Sequence, residues 1–197
     1  MRSLASIPRG YLWIGIIAAL ALLVGWWVWA NFFETYHLAQ VDPVLYRDGF
    51  RTFREFQTAV GKTHVTQVVC LLDDDELKKA PFNLEDDYCR RSRIAFTHIP
   101  IKLGGWPTSE DVQKFLVAAK IPKYQPLMIH CAQGVRRTGM MVAAYQMSVL
   151  GWDKEKTKAA MLTFGHSERT VGDVTRFIDE YDPKTMTVPE GLPMGKE

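Results

Sequence analysis

The sequence predicts an α/β domain: a central, mainly parallel sheet of four or five strands flanked by helices, with one apolar helix ahead of it. Short β-rich apolar runs alternate with segments of helical periodicity, which is the pattern of strand–helix–strand units. The runs are apolar on both faces, as strands covered by helices on both sides must be. A third observation sets the front of the chain apart. From Gly10 to Phe33 no residue is charged, and Ile, Ala, Leu, Val and Trp dominate.

A helix over residues 10–33 spans roughly 36 Å, against about 30 Å of bilayer hydrocarbon. Trp26, Trp27 and Trp29 cluster at one end and Tyr11 and Trp13 at the other, where aromatic rings favour the membrane interface. Core helices seldom stay apolar on every face for so long. Val28-Trp29-Ala30 has the small-residue form of a cleavage site, but the run exceeds the roughly 7–15 residues of a signal core, so an uncleaved signal-anchor is expected. The chain thus divides into a short basic start (1–9), a transmembrane helix (10–33), a folded domain (34–182) and a flexible tail rich in Pro and Gly (183–197). Arg2 and Arg9 precede the helix, while Glu34 and Asp42 follow it before Arg47. The positive-inside rule then places the N-terminus in the cytoplasm and the domain on the extracytoplasmic side. Against this, free thiols stay reduced more easily in the cytosol.

Of 197 residues 47% are hydrophobic, enough for one good core beside the membrane segment. The net charge of +2 is that of Arg2 and Arg9; the other 22 Lys and Arg balance 22 Asp and Glu. A near-neutral domain argues against a broad nucleic-acid surface. Cysteines at 70, 89 and 131 form neither a disulfide framework nor a paired metal-ligand pattern. Cys70 and Cys89 are expected in the core.

Along the domain, Val44 to Arg47 reads as a short strand ended by the turn pair Asp48-Gly49. Phe50, Phe53 and Phe56 have helical spacing, with a stop near Gly61. Val65 to Leu72 is a buried strand, and Asp73, Asp74, Asp75 and Glu76 after it are helix-capping or solvated acids. Ile94 to Ile101 is the next strand. Thr108-Ser109-Glu110-Asp111 starts a helix with Val112, Phe115, Leu116 and Ala119 on one face. Leu127 to His130 is a short strand, Met140, Ala143, Ala144, Met147 and Leu150 mark a helix face, and helices near 153–164 and 170–181 follow.

The chemistry concentrates in His130-Cys131-Ala132-Gln133-Gly134-Val135-Arg136-Arg137-Thr138-Gly139. This stretch joins an apolar strand to an amphipathic helix, so its backbone N–H groups, from Ala132 through Arg137, converge on an anion at a helix N-terminus. The same setting lowers a thiol's pKa and makes Cys131 a nucleophile. Arg137, six residues on, returns a planar fork to two phosphate oxygens. Thr138 is placed to hydrogen-bond the sulfur, and Gly134 relieves crowding where the loop folds over the anion. Arg136 either widens a basic rim or faces solvent.

At these residues the sequence resembles the protein tyrosine and dual-specificity phosphatase superfamily, whose signature is His-Cys, five residues, Arg, then Ser or Thr. The resemblance extends over most of residues 41–182. Leu45-Tyr46-Arg47-Asp48-Gly49 is similar to the opening strand of compact dual-specificity enzymes, and the Arg-Thr-Gly ending with Arg169, Asp173, Phe177 and Ile178 is similar to the atypical plant and fungal branch. The resemblance implies the cysteine phosphatase fold and phosphomonoester hydrolysis through a phosphocysteine intermediate, with no metal or cofactor. Cys131 would be the nucleophile and Arg137 the phosphate holder, with His130 and Thr138 assisting.

The chain departs from that pattern at one point. The family places an Asp in the loop after the strand at 94–101, to protonate the leaving oxygen; here residues 101–108 carry no carboxylate. Thr108 or Leu103 stands at its position, depending on how Trp106-Pro107 is matched. Asp73, Asp74, Asp75, Glu110 and Asp111 remain candidates. Without a strong acid, good leaving groups are expected to be favoured: phosphotyrosine or a pyrophosphate-type ester over phosphoserine. Gly104-Gly105 beside Trp106 reads either as a mobile lid or as a packed surface Trp. The expected partner is a phosphorylated protein, and alternatively a lipid or inositol phosphate or another small phosphorylated metabolite, for which Lys102, Lys120, Lys123 and Arg136 would form a basic rim. A third reading is a phosphate-binding module without catalysis.

Overall fold

The apolar runs assemble into a five-stranded mixed sheet in the computed structural model, which describes residues 9–32, 35–161, 164 and 168–188. In chain order the elements are α1 (Arg9–Phe32), β1 (Ala39–Gln40), β2 (Leu45–Gly49), α2 (Phe53–Thr63), β3 (Gln67–Cys70), α3 (Asp74–Leu77), α4 (Glu85–Arg91), β4 (Ala95–His98), α5 (Ser109–Ala119), β5 (Leu127–Cys131), α6 (Arg136–Ser148), α7 (Lys154–Met161) and α8 (Glu168–Glu180). Strand order is β1-β2-β5-β3-β4. β2, β5, β3 and β4 run parallel, and the two-residue β1 adds an antiparallel edge.

β5 lies at the centre of the sheet, flanked by β2 and β3, with all five residues buried. Its alternation feeds two cores. Ile129 joins Val69, Phe115, Met140, Val174 and Phe177 on the side of α5, α6 and α8. Met128 joins Phe50, Phe56, Val68 and Cys89 on the side of α2 and α4. Every residue of α6 from Arg137 to Met147 is buried, so this helix is packed on all sides rather than on the one face its Met and Ala spacing indicates. Cys70, Cys89 and Cys131 are all free and buried.

Three local expectations are corrected. Asp48-Gly49 is the buried end of β2, not a turn: a Cβ on Gly49 would lie 2.2 Å from the Gln133 carbonyl carbon, so glycine is what lets the loop after β5 pack there. The helix expected to stop near Gly61 runs on to Thr63, and the stop is His64 in the left-handed region (φ 50°). Its start is fixed by a capping box between Thr52 and Glu55, which leaves Phe50 outside the helix. Residues 182–188 are not loose: Asp182 bridges to Thr187, and the Val188 N–H donates to Ser109 Oγ at 3.0 Å.

The chain divides into two compact units, Met1–Glu34 and Thr35–Glu197. In the first, α1 is a continuous helix of 24 residues. Its side chains are described only over 13–28, about 24 Å of helix at 1.5 Å per residue, short of a bilayer core. Among the described residues no helix is long and apolar enough to cross a membrane, so the expected span is not shown. Arg2 and the rest of 1–8, the side chains of Arg9, Tyr11, Trp29 and Arg169, and the tail from 189 lie outside the described residues.

Gly49→Ala is expected to lower the stability of the domain by about 1–3 kcal/mol, the usual cost of forcing atoms into a filled space. The urea midpoint of the variant beside wild type measures it; an unchanged midpoint would show that the loop can give way.

Candidate active site

β5 ends at Cys131, and after a loop of four residues α6 begins at Arg136, so the sulfur sits under a loop that closes at a helix N-terminus. Gly134 makes the loop possible: its φ is +68°, and a Cβ there would lie 2.3 Å from the Asp48 carbonyl oxygen. Two side chains hold the loop from outside. Arg47 donates to the Gly134 carbonyl at 2.6 Å, with its guanidinium 3.9 Å from the centre of the Phe164 ring, and His37 Nδ1 donates to the Gln133 carbonyl at 2.7 Å. Burial lowers the Arg47 pKa to about 10, which still leaves it cationic beside Cys131.

Arg137 is held as a fork aimed at the loop. It pairs with both oxygens of Glu76 (2.9 Å to Oε1) and donates to the Ile101 carbonyl at 3.0 Å. Glu76 also closes the capping box of α3 with Asp73. Burial alone would raise the Cys131 thiol pKa. The Arg137 charge, the Thr138 hydroxyl and the N–H groups of Thr138 and Gly134 together bring it below the ordinary value.

Over the sulfur lies a cavity of about 190 Å³ lined by Cys131, Ala132, Gln133, Arg137, Arg136, Leu103, Gly104 and Thr170. That volume suits a phosphate group and the first atoms beyond it, well below the roughly 300–1,000 Å³ of drug-sized sites. Val135 is buried behind the loop as the residue before α6. Arg136 reaches the cavity wall, but its guanidinium is engaged: Nε donates to Asp173 at 2.6 Å and Nη1 to the Gly105 carbonyl at 2.6 Å. It ties the 102–108 loop to α8. Trp106 packs against Phe177, ring centroids 6.1 Å apart, as the packed-Trp reading has it.

None of the candidate acids lines the cavity. Asp73 caps α3 and accepts from the Leu103 N–H, and its pKa is lowered by the Glu76 N–H first of all, which disfavours the protonated form. Asp74 and Asp75 are exposed, Glu110 pairs with Lys114, and Asp111 caps α5 through Thr108. Leu103, 65% exposed, stands at the rim instead. The basic rim is not assembled either: Lys120 and Lys123 precede β5, at the end of the sheet opposite the loop.

Behind the loop is a buried polar cluster that sequence reasoning missed. Asp48, His130 and Cys70 lie in register across β2, β5 and β3, and Glu85 meets His130. Cys70, Glu85 and His130 offer three donor atoms within 4.8 Å of one another, one fewer than a closed tetrahedral zinc site uses. Both Asp48 oxygens are buried without a hydrogen-bond partner, and burial pushes this carboxyl up to about 8, against the opposing charge of His130. Arg47, Glu76 and Glu85 carried no local signal: Glu76 looked like one more capping acid, and Glu85 one of three acids in a row.

A thiol made acidic by a paired arginine, in a loop between a central parallel strand and a buried helix, defines a cysteine phosphatase fold and site. Residues 61–176 match the family described as DSP-PTPase phosphatase fused to NAD+ kinase, and the chain belongs to that family. It is 26% identical over 141 residues to the dual specificity protein phosphatase TpbA of Pseudomonas aeruginosa, covering 67% of this chain and 56% of that protein. The chain spans about half the length of the relatives it matches, 56%, 50% and 47%. Among solved structures it is similar to the core catalytic domain of the PP-IP phosphatase Siw14 from S. cerevisiae (TM-score 0.63, 18% identity, 78% of this chain and 90% of that one). It is also similar to the crystal structure of P. aeruginosa TpbA (TM-score 0.61, 21% identity, 77% and 88%).

Asp48 gives a pH signature. Its folded pKa of about 8 stands above its ordinary 3.8, so the folded protein binds the extra proton. Stability from this group is complete below about pH 4 and is lost as pH rises toward 8. In urea titrations across that window, Asp48→Asn is expected to lose less stability with rising pH than wild type. Parallel curves for the two proteins would show that Asp48 is already ionised in the fold.

Proposed function

We propose that this chain is a cysteine-dependent phosphatase acting on phosphomonoesters, with phosphotyrosine-type protein substrates as the leading class. The observation that carries the reading is the Cys131 sulfur on the floor of a phosphate-sized cavity beside the Arg137 fork. The Cys131 thiolate attacks phosphorus, the S–P bond forms as the bond to the leaving oxygen breaks, and that oxygen takes its proton from water. Arg137 and the loop N–H groups hold the three equatorial oxygens as charge spreads over them. Water then attacks the phosphocysteine, and Thr138 stabilises the departing thiolate.

A cavity wall without a carboxylate among the described residues supports leaving groups that need no proton, since a positioned acid contributes about 10²–10⁴-fold. Two of the solved relatives fit that class, since one TpbA structure is a complex with pTyr and Siw14 is a PP-IP phosphatase; PTPMT1, seen with PI(5)P, does not, because its inositol leaving group is an alkyl alkoxide. A lipid or inositol phosphate is the second reading, and within it the missing acid favours a pyrophosphate over a monoester. In detergent micelles the full chain is expected to release phosphate from an aryl phosphate with chelator present, and Cys131→Ser is expected to release none. Phosphotyrosine peptides are expected to turn over at least about 10²-fold faster than phosphoserine peptides. Equal rates would mean that an acid reaches the site, and a folded, reduced, inactive wild type would leave a phosphate-binding module.

We also infer that residues 10–33 anchor the protein as a single-pass signal-anchor, with the N-terminus cytoplasmic and the domain extracytoplasmic. Supporting this, Trp13, Ile17, Leu20, Leu22, Leu23 and Trp26 are each more than half exposed, on all sides of α1, which is costly in water and favourable in lipid. The full chain is expected to stay with membranes through carbonate extraction, with its domain open to protease added on the extracytoplasmic side. Release by carbonate would refute the anchor, and a protected domain would reverse its orientation.

A further inference from the structure

The phosphatase mechanism leaves the cluster behind the loop unused. Glu85 is the first residue of α4, a position that ordinarily faces solvent, yet it turns inward. Its Oε2 lies 3.0 Å from His130 Nε2, and neither side chain has any exposed surface. A buried carboxylate costs several kcal/mol unless an opposite charge meets it, and His130 is the ion-pair partner this one has. The His130 ring packs against the Phe50–Phe56 pair, centroids 5.3 and 6.0 Å away, in the core on the α2 and α4 side. Asp48 from β2, Cys70 from β3 and Glu85 from α4 are the titratable groups facing it, and Cys131 follows it in the chain.

We propose that Glu85 is a positioning residue of the site: its carboxylate fixes the buried His130 ring at the root of the loop as an imidazolium and so keeps Cys131 reactive near neutral pH. This rests on the reading of Cys131 as the nucleophile. Burial alone would strip the proton from His130, but Glu85 above all holds its pKa well above the ordinary value. The resulting charge lies one residue along the chain from Cys131, whose thiol is already made more acidic by Arg137. Asp48, protonated at neutral pH, leaves the Glu85–His130 pair as the charged part of the cluster.

The test uses the full chain in detergent micelles. In wild type, NMR of labelled histidine is expected to show His130 still protonated above the ordinary titration range of histidine; a ring that is neutral within that range overturns the proposal without any variant. The pH dependence of Cys131 alkylation by iodoacetamide is the second readout. Its midpoint is expected to rise by about one unit in Glu85→Gln and to return toward wild type in Glu85→Asp. The kcat/KM for an aryl phosphate falls about tenfold on the acid side and recovers at high pH. A folded Glu85→Gln protein with an unmoved midpoint overturns the proposal, since a purely structural role lowers the melting temperature without moving a thiol titration. One zinc per chain bound at His130 in protein purified without chelator also overturns it. If wild type hydrolyses nothing while the midpoint still shifts, the phosphatase reading fails and the role of Glu85 stands.

Discussion

A reactive thiolate at the end of a buried strand is the constraint on which the rest of the site depends. The Cys131 side chain is almost without solvent, and burial by itself favours the neutral thiol, which is a poor nucleophile. Positive charge has to be brought to it from several directions. The N-terminus of α6 and the loop N–H groups supply partial charge, Arg137 a full charge at hydrogen-bonding range, and Arg47 a second one behind Gly134. The architecture follows: an interior strand has a neighbour on each side, and at the end of β5 the adjacent β2 supplies Arg47 while the helix that follows, α6, supplies Arg137.

Buried cations raise the same difficulty in reverse, and two glutamates answer it. Glu76 takes both ends of the Arg137 fork, with the side chains 17% and 5% exposed. The Arg51–Glu55 pair, by contrast, has its arginine 63% exposed and is worth at most about 1 kcal/mol. Removing one partner of a buried pair costs about 3–5 kcal/mol, because the other charge is left without water. The acids that matter here are therefore the hidden ones, Glu76 and Glu85, and the conspicuous run at 73–75 mostly caps α3.

This explains which parts of the site were legible in the sequence. The β5 strand, the loop and the start of α6 are contiguous, so Cys131, Gly134, Arg137 and Thr138 could be given places from spacing alone. The caps at Thr108 and Asp73 were equally local. Glu76 and Arg137 are 61 residues apart, and no spacing rule joins them. Asp48-Gly49 was misread because the turn propensity of the pair is a local signal, whereas the need for glycine is set by Gln133 and Gly134 packing on it from across the sheet. Helix ends failed in the same way, Gly61 being tolerated inside α2 and His64 supplying the left-handed stop.

The vacant acid position has a structural counterpart in the way the 102–108 loop is held. Its backbone is tied at Leu103 to Asp73 and at Gly105 to Arg136, which is itself paired with Asp173, and Trp106 is seated on Phe177. An acid loop that swings in to protonate a leaving group needs freedom that these ties remove. Leu103 occupies the rim as an exposed apolar side chain, able to contact an aryl or acyl leaving group but not to hydrate a small alkoxide. Pinning the loop and omitting its carboxylate are consistent choices: the site stabilises charge on phosphorus through Arg137 and leaves the leaving group to its own chemistry.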